Sequence, residues 1–399
     1  MVADKGMRGC HFGYSVCYSD GAFTVCRLRH HFSHCHSIAP KFPRNQTVNL
    51  PICAVGFATI PIVLTLHNPR TPLREGLYAI DWIGSVAVVG GTVLFLLGLE
   101  LGGVTYPWAS PTVLGLVLSG ILLLSLACFH FARPDLTRTP YPLVPIALFA
   151  DRHNCAAYAV AFIHGFVLIS ASYFLPLYFQ AVLGATPLQS GLYLLPYALS
   201  LSTTSAMAGW AIQKTGSYLW LIISVMALTV LGFGLLVDLG PAPAPASAPT
   251  TTSSLTAKAV IYQLLAGAGI GPNSQATLIA IQTAISAEDI GAATSTFVFA
   301  RQLATAISIV VGGAVFSGEM QRQSASLAAE LSPEVAEMLA AHYATANAER
   351  IARVAGREGW VARQAYDLGL RNMRVVYAAF AGAGLVLSVF IRHRRLADE

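Results

Sequence analysis

The stretch CAAYAVAFIHGFVLISASYFLPLYFQAV, residues 155–182, runs for 28 positions without an Asp, Glu, Lys or Arg. A helix needs roughly 20 predominantly apolar residues to cross a hydrocarbon core about 30 Å thick. This stretch meets that length, and comparable ones recur on both sides of it. Reading outward, the spans are Val48–Leu66, Ile80–Leu101, Thr112–Phe131, Cys155–Val182, Ser190–Ile212, Tyr218–Leu239, Ala259–Ile281, Gly291–Phe316 and Val375–Ile391. They predict an all-α polytopic membrane protein of about nine transmembrane helices, with the lipid bilayer as its solvent.

Composition points the same way. Charged residues are 11% of the chain and apolar residues 55%, with a mean hydropathy of +0.61, whereas a soluble domain carries about 25% charged residues. The net charge of +5 does not imply nucleic acid, because the basic residues sit in short linkers beside the spans. Arg70, Arg74, Arg133, Arg138, Arg152 and Lys214 alternate with charge-free linkers at 102–111, 183–189 and 240–256. By the positive-inside rule the basic linkers and the C-terminal Arg392-His393-Arg394-Arg395 are cytoplasmic. Glu288 and Asp289 fall in a linker that this topology also puts inside; acidic residues weigh little in the rule. The segment 319–374 is then extracellular. Its Leu327, Leu331, Val335 and Leu339 recur at helical spacing, which predicts surface helices capping the bundle.

Residues 1–47 differ from the rest. Cys10, Cys17, Cys26 and Cys35 are interspersed with His11, His30, His31, His34 and His36. They form no C-x-x-C pair and no finger-type histidine separation, so no metal is expected. No apolar core precedes a cleavage site, which excludes a signal peptide. The segment is expected to be disordered. Asn45-Gln46-Thr47 is a glycosylation acceptor sequence directly abutting a span.

Several short strings follow one another in order. They are Asn49-Leu50-Pro51-Ile52, Asn68-Pro69-Arg70-Thr71-Pro72-Leu73, Ile80-Asp81-Trp82-Ile83-Gly84-Ser85, Gly90-Gly91-Thr92, Gly102-Gly103-Val104-Thr105-Tyr106-Pro107-Trp108, Leu175-Pro176-Leu177-Tyr178-Phe179-Gln180, Ser190-Gly191 and Leu195-Pro196. In that order and at those separations the chain resembles the fungal drug:proton antiporters of the fourteen-helix type, in the major facilitator superfamily, from Val48 to Arg395. The resemblance implies a major facilitator fold that is incomplete, with the spans corresponding to helices six to fourteen. Residues 48–66 would be a remnant of the first half, 67–152 two linker helices and a cytoplasmic linker, and 153–399 the six-helix C-terminal half. The string from Gly209 to Gly216 echoes the family's cytoplasmic motif.

The activity implied is proton-coupled export of small, mostly apolar molecules by alternating access. The chain alone is expected to be impaired, and a second chain supplying the missing helices is the partner this implies. The plasma membrane is the expected location, the vacuolar membrane its alternative. Two other readings are uptake of a nutrient, amino acid or siderophore by the same fold, and a non-transporting remnant or partner-dependent half.

Ionisable and amide groups inside a bilayer are costly, which singles out a few residues. His164 lies about ten residues into its span and can exchange protons near neutral pH. Arg301 lies as deep in another and must face the bundle or water. Asn273, Gln275 and Gln282 fall on or beside the glycine-rich seventh span; Gln275 and Gln282, seven apart, share a face. Tyr173, Phe174, Tyr178 and Gln180 end the fourth span. These nine are the candidates for a substrate pathway, each weighed against a packing role. Asp81 and Glu100 bracket the second span and read as interfacial. Gly267-Ala268-Gly269-Ile270-Gly271 mimics a dinucleotide loop but has no preceding strand. No nucleophile–base pair, metal-ligand cluster or phosphate loop stands in a usable context, so neither an enzyme nor a cofactor is expected.

Overall fold

The computed structural model describes residues 14–19, 22–27, 53–55, 57–59, 78, 80–103, 105–133, 146–240, 249–286, 289–340, 344–345 and 347–392. The chain divides into two units, Met1–Pro72 and Leu73–Glu399.

In the first unit, β1 (Tyr14–Ser19) and β2 (Ala22–Arg27) pair antiparallel, in a register running from Tyr14 opposite Arg27 to Ser19 opposite Ala22. The reading of this segment as disordered thus meets a regular hairpin. Asp-Gly between alternating strands is a strong short-range hairpin signal, and Asp20-Gly21 stands between the two. Of the span Val48–Leu66, 53–55 and 57–59 are helical and the remainder lies outside the described residues, as does Asn45.

The second unit is helical. α1 (Trp82–Leu101) and α2 (Pro111–Ala132) form an antiparallel pair. α3 (Arg152–Ala181), the short α4 (Pro187–Tyr193), α5 (Leu195–Thr215), α6 (Leu219–Val237), α7 (Pro249–Gln282), α8 (Ile290–Glu330), α9 (Pro333–Met338), α10 (Ala348–Arg353) and α11 (Gly356–Ser388) follow. Local chemistry fixes their ends. Asp81 caps α1 by accepting the Gly84 N–H at 2.9 Å, and Ser110 caps α2 with Pro111 behind it. Thr186 and Gln189 form a reciprocal capping box at α4. Gly216 closes α5 at φ 62°, a backbone state in which a side chain is strained.

α3 is the hub. It packs against α7, α8 and α11, while α7 also contacts α5 and α6, and α11 also contacts α6. Phe166, Phe179, Tyr366 and Tyr377 are among the largest side chains fully buried between these helices. Outward, the surface is apolar: Ile83 and Val86 on α1, Leu118 on α2, and Leu199, Met207 and Trp210 on α5 are all more than 60% exposed. A contiguous apolar exterior of this kind suits lipid, not water.

Eight of the nine expected spans overlap a helix of at least 18 described residues. Five helices are long and apolar enough to cross a membrane by length and composition: α1, α2, α3, α6 and α8. α5, α7 and α11 are long but more polar. Three boundaries differ from the sequence reading. α7 begins at Pro249, inside the stretch read as an uncharged linker. α8 continues to Glu330, well past Phe316, and α11 begins at Gly356, well before Val375. The fifth span is two helices, α4 and α5, joined at Leu194.

Candidate functional site

Where α3, α7 and α8 converge, half-way along the bundle, polar side chains meet in an apolar surround. α3 brings His164, which is 4% exposed; its Nε2 lies 3.1 Å from the Ile270 carbonyl oxygen of α7. That contact sets the tautomer, Nε2–H donating. Nδ1 is buried and has no hydrogen-bond partner among the described residues. Three residues on, Asn273 is fully buried; its Oδ1 accepts from the Thr277 hydroxyl at 3.2 Å, and its Nδ2 is likewise unpartnered. Pro272, between Ile270 and Asn273, removes the N–H that would have bonded the carbonyl four residues back, loosening the helix at this level.

α8 supplies the charge. Arg301 donates from Nη1 to the Ser274 hydroxyl at 2.6 Å, and its guanidinium lies 5.5 Å from the Phe297 ring centroid. The approach of α8 to α3 is permitted by Gly165: a Cβ there would sit 2.5 Å from the Arg301 carbonyl oxygen. Below this contact the Thr305 hydroxyl donates to the Gly165 carbonyl at 3.2 Å, and Ser308 donates to Phe166 at 2.6 Å. The Tyr377 hydroxyl of α11 donates to the Ser308 carbonyl at 2.7 Å. These side chains place an imidazole, a carboxamide and a guanidinium together inside the bundle.

The other sequence candidates are distributed differently. Gln282 donates to Thr294 at 3.1 Å and ties α7 to α8, whereas Gln275 is exposed. Tyr173 is half-exposed, 50%, at the end of α3. Phe174 and Tyr178 are buried and line a cavity of about 20 Å³ with Phe233, Met373 and Tyr377. The Tyr178 hydroxyl donates to the Gly240 carbonyl at 3.0 Å. Gln180 donates to Ser190 at 3.4 Å. Asp81 is buried and reaches across to His130 of α2 at 3.2 Å, so it joins α1 to α2; Glu100 is exposed.

Two residues that sequence reasoning missed lie where α3, α6 and α11 meet. Asp367 and Arg374, both under 8% exposed, pair at 2.8 Å across two turns of α11. Arg374 also donates to the Leu236 carbonyl at 3.0 Å, at the end of α6, and lies 5.2 Å from the Tyr178 ring centroid. The clamp thereby holds α3, α6 and α11 together. Burial pushes the Asp367 carboxyl up to about 6, against the pull of Arg374 and Arg371. Their spacing of seven marks one helix face, a signal available in the sequence once the segment is known to be a continuous helix.

The model of the fungal trichothecene efflux pump family matches residues 47–356. This chain belongs to that family. The fungal efflux pump family member named efflux pump dotC, from Dothistroma septosporum, is 42% identical over 352 residues, covering 88% of this chain and 57% of its own length. The MFS-type transporter ppz2 of Metarhizium majus is 39% identical over 352 residues, covering 88% of this chain and 58% of its own. Efflux pump FUS6 of Gibberella moniliformis is 29% identical over 357 residues, covering 88% and 60%. The chain therefore spans somewhat over half the length of these relatives. As a member of the efflux pump family it is an all-α integral membrane protein of the major facilitator type, in a family of transporters rather than of enzymes.

Proposed function

We propose that the chain takes part in exporting small, largely apolar molecules, of the toxin, drug or secondary-metabolite class, in exchange for protons. Transport proceeds by alternating access at the plasma membrane, with the C-terminus in the cytoplasm. The observation that carries this reading is the polar junction of His164, Asn273 and Arg301 inside a lipid-exposed bundle. Ionisable groups at that depth are expensive unless they serve a pathway or a proton relay. His164, with one nitrogen tied to Ile270 and the other unpartnered among the described residues, has a position open to a proton. Arg301 beside it opposes a second positive charge, so proton uptake on His164 and its release are coupled to whatever else occupies the junction. The names of the family and of its members, efflux pumps, support the direction of transport.

The test is efflux from proteoliposomes under an imposed pH gradient, with an apolar fluorescent substrate. It is run with the chain alone and with the chain co-reconstituted with the part of the dotC relative that the match leaves uncovered. Gradient-driven substrate movement in either arm, reduced tenfold or more by His164→Ala, is the expected result. Movement indifferent to the gradient in both arms, or none at all, overturns the reading.

A further inference from the structure

At the opposite end from the Asp367–Arg374 clamp, the start of α3 and the end of α11 lie side by side. Between them runs a groove of about 540 Å³. Its floor is apolar: Ala156 and Ala159 are small, and Leu387, Val389 and Phe390 form the facing wall. Val389 and Phe390 are each more than 60% exposed. Its rim is basic. Arg152 is exposed there, and His153 stands beside it with its Nδ1 2.7 Å from the Phe390 carbonyl, which leaves Nε2 on the outer side of the ring. Among the described residues, no Asp or Glu lines the groove. The nearest acid along the chain, Asp151, has an oxygen occupied by the His153 backbone N–H at 3.0 Å. Beyond Ile391 the sequence continues Arg392-His393-Arg394-Arg395.

We propose that this groove holds one anionic phospholipid of the cytoplasmic leaflet. Its phosphate sits against Arg152 and His153, and one acyl chain lies along Ala156 and Ala159. An apolar trough under a cationic rim fits an amphiphile of opposite charge; a basic pocket between helices on the cytoplasmic side is the arrangement that selects anionic headgroups. A packed protein helix would fill the trough but would leave the arginine without a counter-charge, and a free phosphate would leave the trough empty. The inference rests on the membrane orientation proposed above.

The experiment is native mass spectrometry of the full chain in neutral detergent, offered equal amounts of phosphatidylserine and phosphatidylcholine. The expected result is preferential retention of one phosphatidylserine. Arg152→Gln lowers that preference about fivefold, the weight of one basic residue at an anionic surface. Ala159→Trp, which fills the trough and keeps the arginine, lowers retention of both lipids. Equal retention of the two lipids by the parent chain overturns the proposal, as does an unchanged preference in Arg152→Gln. So does displacement by soluble glycerophosphoserine as effective as by the lipid. Arg152→Gln lies at an exposed position, so it decides the matter even if Ala159→Trp does not fold. Lipid retention requires no transport; a chain that selects phosphatidylserine and moves no substrate would uphold this site and sink the export reading.

Discussion

Gly165 shows how tightly the polar junction is drawn. Any side chain there would strike the Arg301 backbone, so Gly165→Val must push α8 off α3. We expect a loss of about 1–3 kcal/mol, the usual cost of overpacking, read as a lowered melting temperature in detergent. Arg301→Ala removes the partner of the Ser274 hydroxyl and the cation over Phe297. It should cost about 1–3 kcal/mol in detergent melting, and Arg301→Lys, which keeps a cation, should lose less. His164 and Arg301 were legible in the sequence because an ionisable residue inside an apolar run stands out. Ser274, Thr305 and Ser308 were not, because hydroxyls at membrane depth often satisfy themselves on their own helix. Thr305 also does this, donating to the Arg301 carbonyl at 3.0 Å. Gln275 and Gln282 share a face by spacing, yet Gln282 meets Thr294 while Gln275 is exposed. Spacing says which residues share a face; the rotation of α7 against α5 and α6 says which way that face looks.

At the scale of the element, the C-terminal part of α8 and the N-terminal part of α11 carry the clearest test. Glu319 of α8 accepts from Asn372 of α11 at 3.0 Å, beside the Asp367–Arg374 pair. Arg374→Ala leaves a buried carboxylate without its cation, which typically costs about 3–5 kcal/mol. Replacing both partners by leucine should recover most of that loss, because a buried pair is dear to desolvate. Thermal unfolding of the single and double variants in detergent distinguishes the two outcomes. Acid behaviour follows from the raised carboxyl. Since Asp367 binds its proton more tightly folded than unfolded, its contribution favours the folded chain most below the ordinary value of 3.8. That contribution is lost as pH rises toward about 6. Asp367→Asn should therefore flatten the pH dependence of the melting temperature between those two values.

The same helices explain which boundaries the sequence concealed. Apolar length reveals where a helix lies in lipid, and α1, α2, α3 and α6 were legible almost to the residue. It is silent where a helix runs on into water. The Ala-, Glu- and Arg-rich tail of α8 and the head of α11 continue by propensity and by packing on each other, with Phe316 against Tyr366 at 4.8 Å. The start of α7 in a Pro/Ala/Ser/Thr stretch was hidden for the same reason.

For the whole molecule, the outward leucines, isoleucines and valines of α1, α2 and α5 require a hydrocarbon surround. The chain should resist extraction by alkaline carbonate and leave the membrane only with detergent. Recovery in a soluble, monodisperse form without detergent would contradict the fold. The pair α1–α2 is held by Asp81, which both caps α1 and meets His130. Asp81→Ala should loosen the pair by about 0.5–2 kcal/mol for the cap alone, and protease sensitivity of the 102–110 turn would report it. α8, with 41 residues, is about 60 Å long, twice the thickness of the hydrocarbon it crosses. It therefore works as a lever. A tilt of about ten degrees around its contact with Gly165 would swing its far tip by several ångströms. A spin label near Glu330 would amplify a rearrangement too small to see where Arg301 sits.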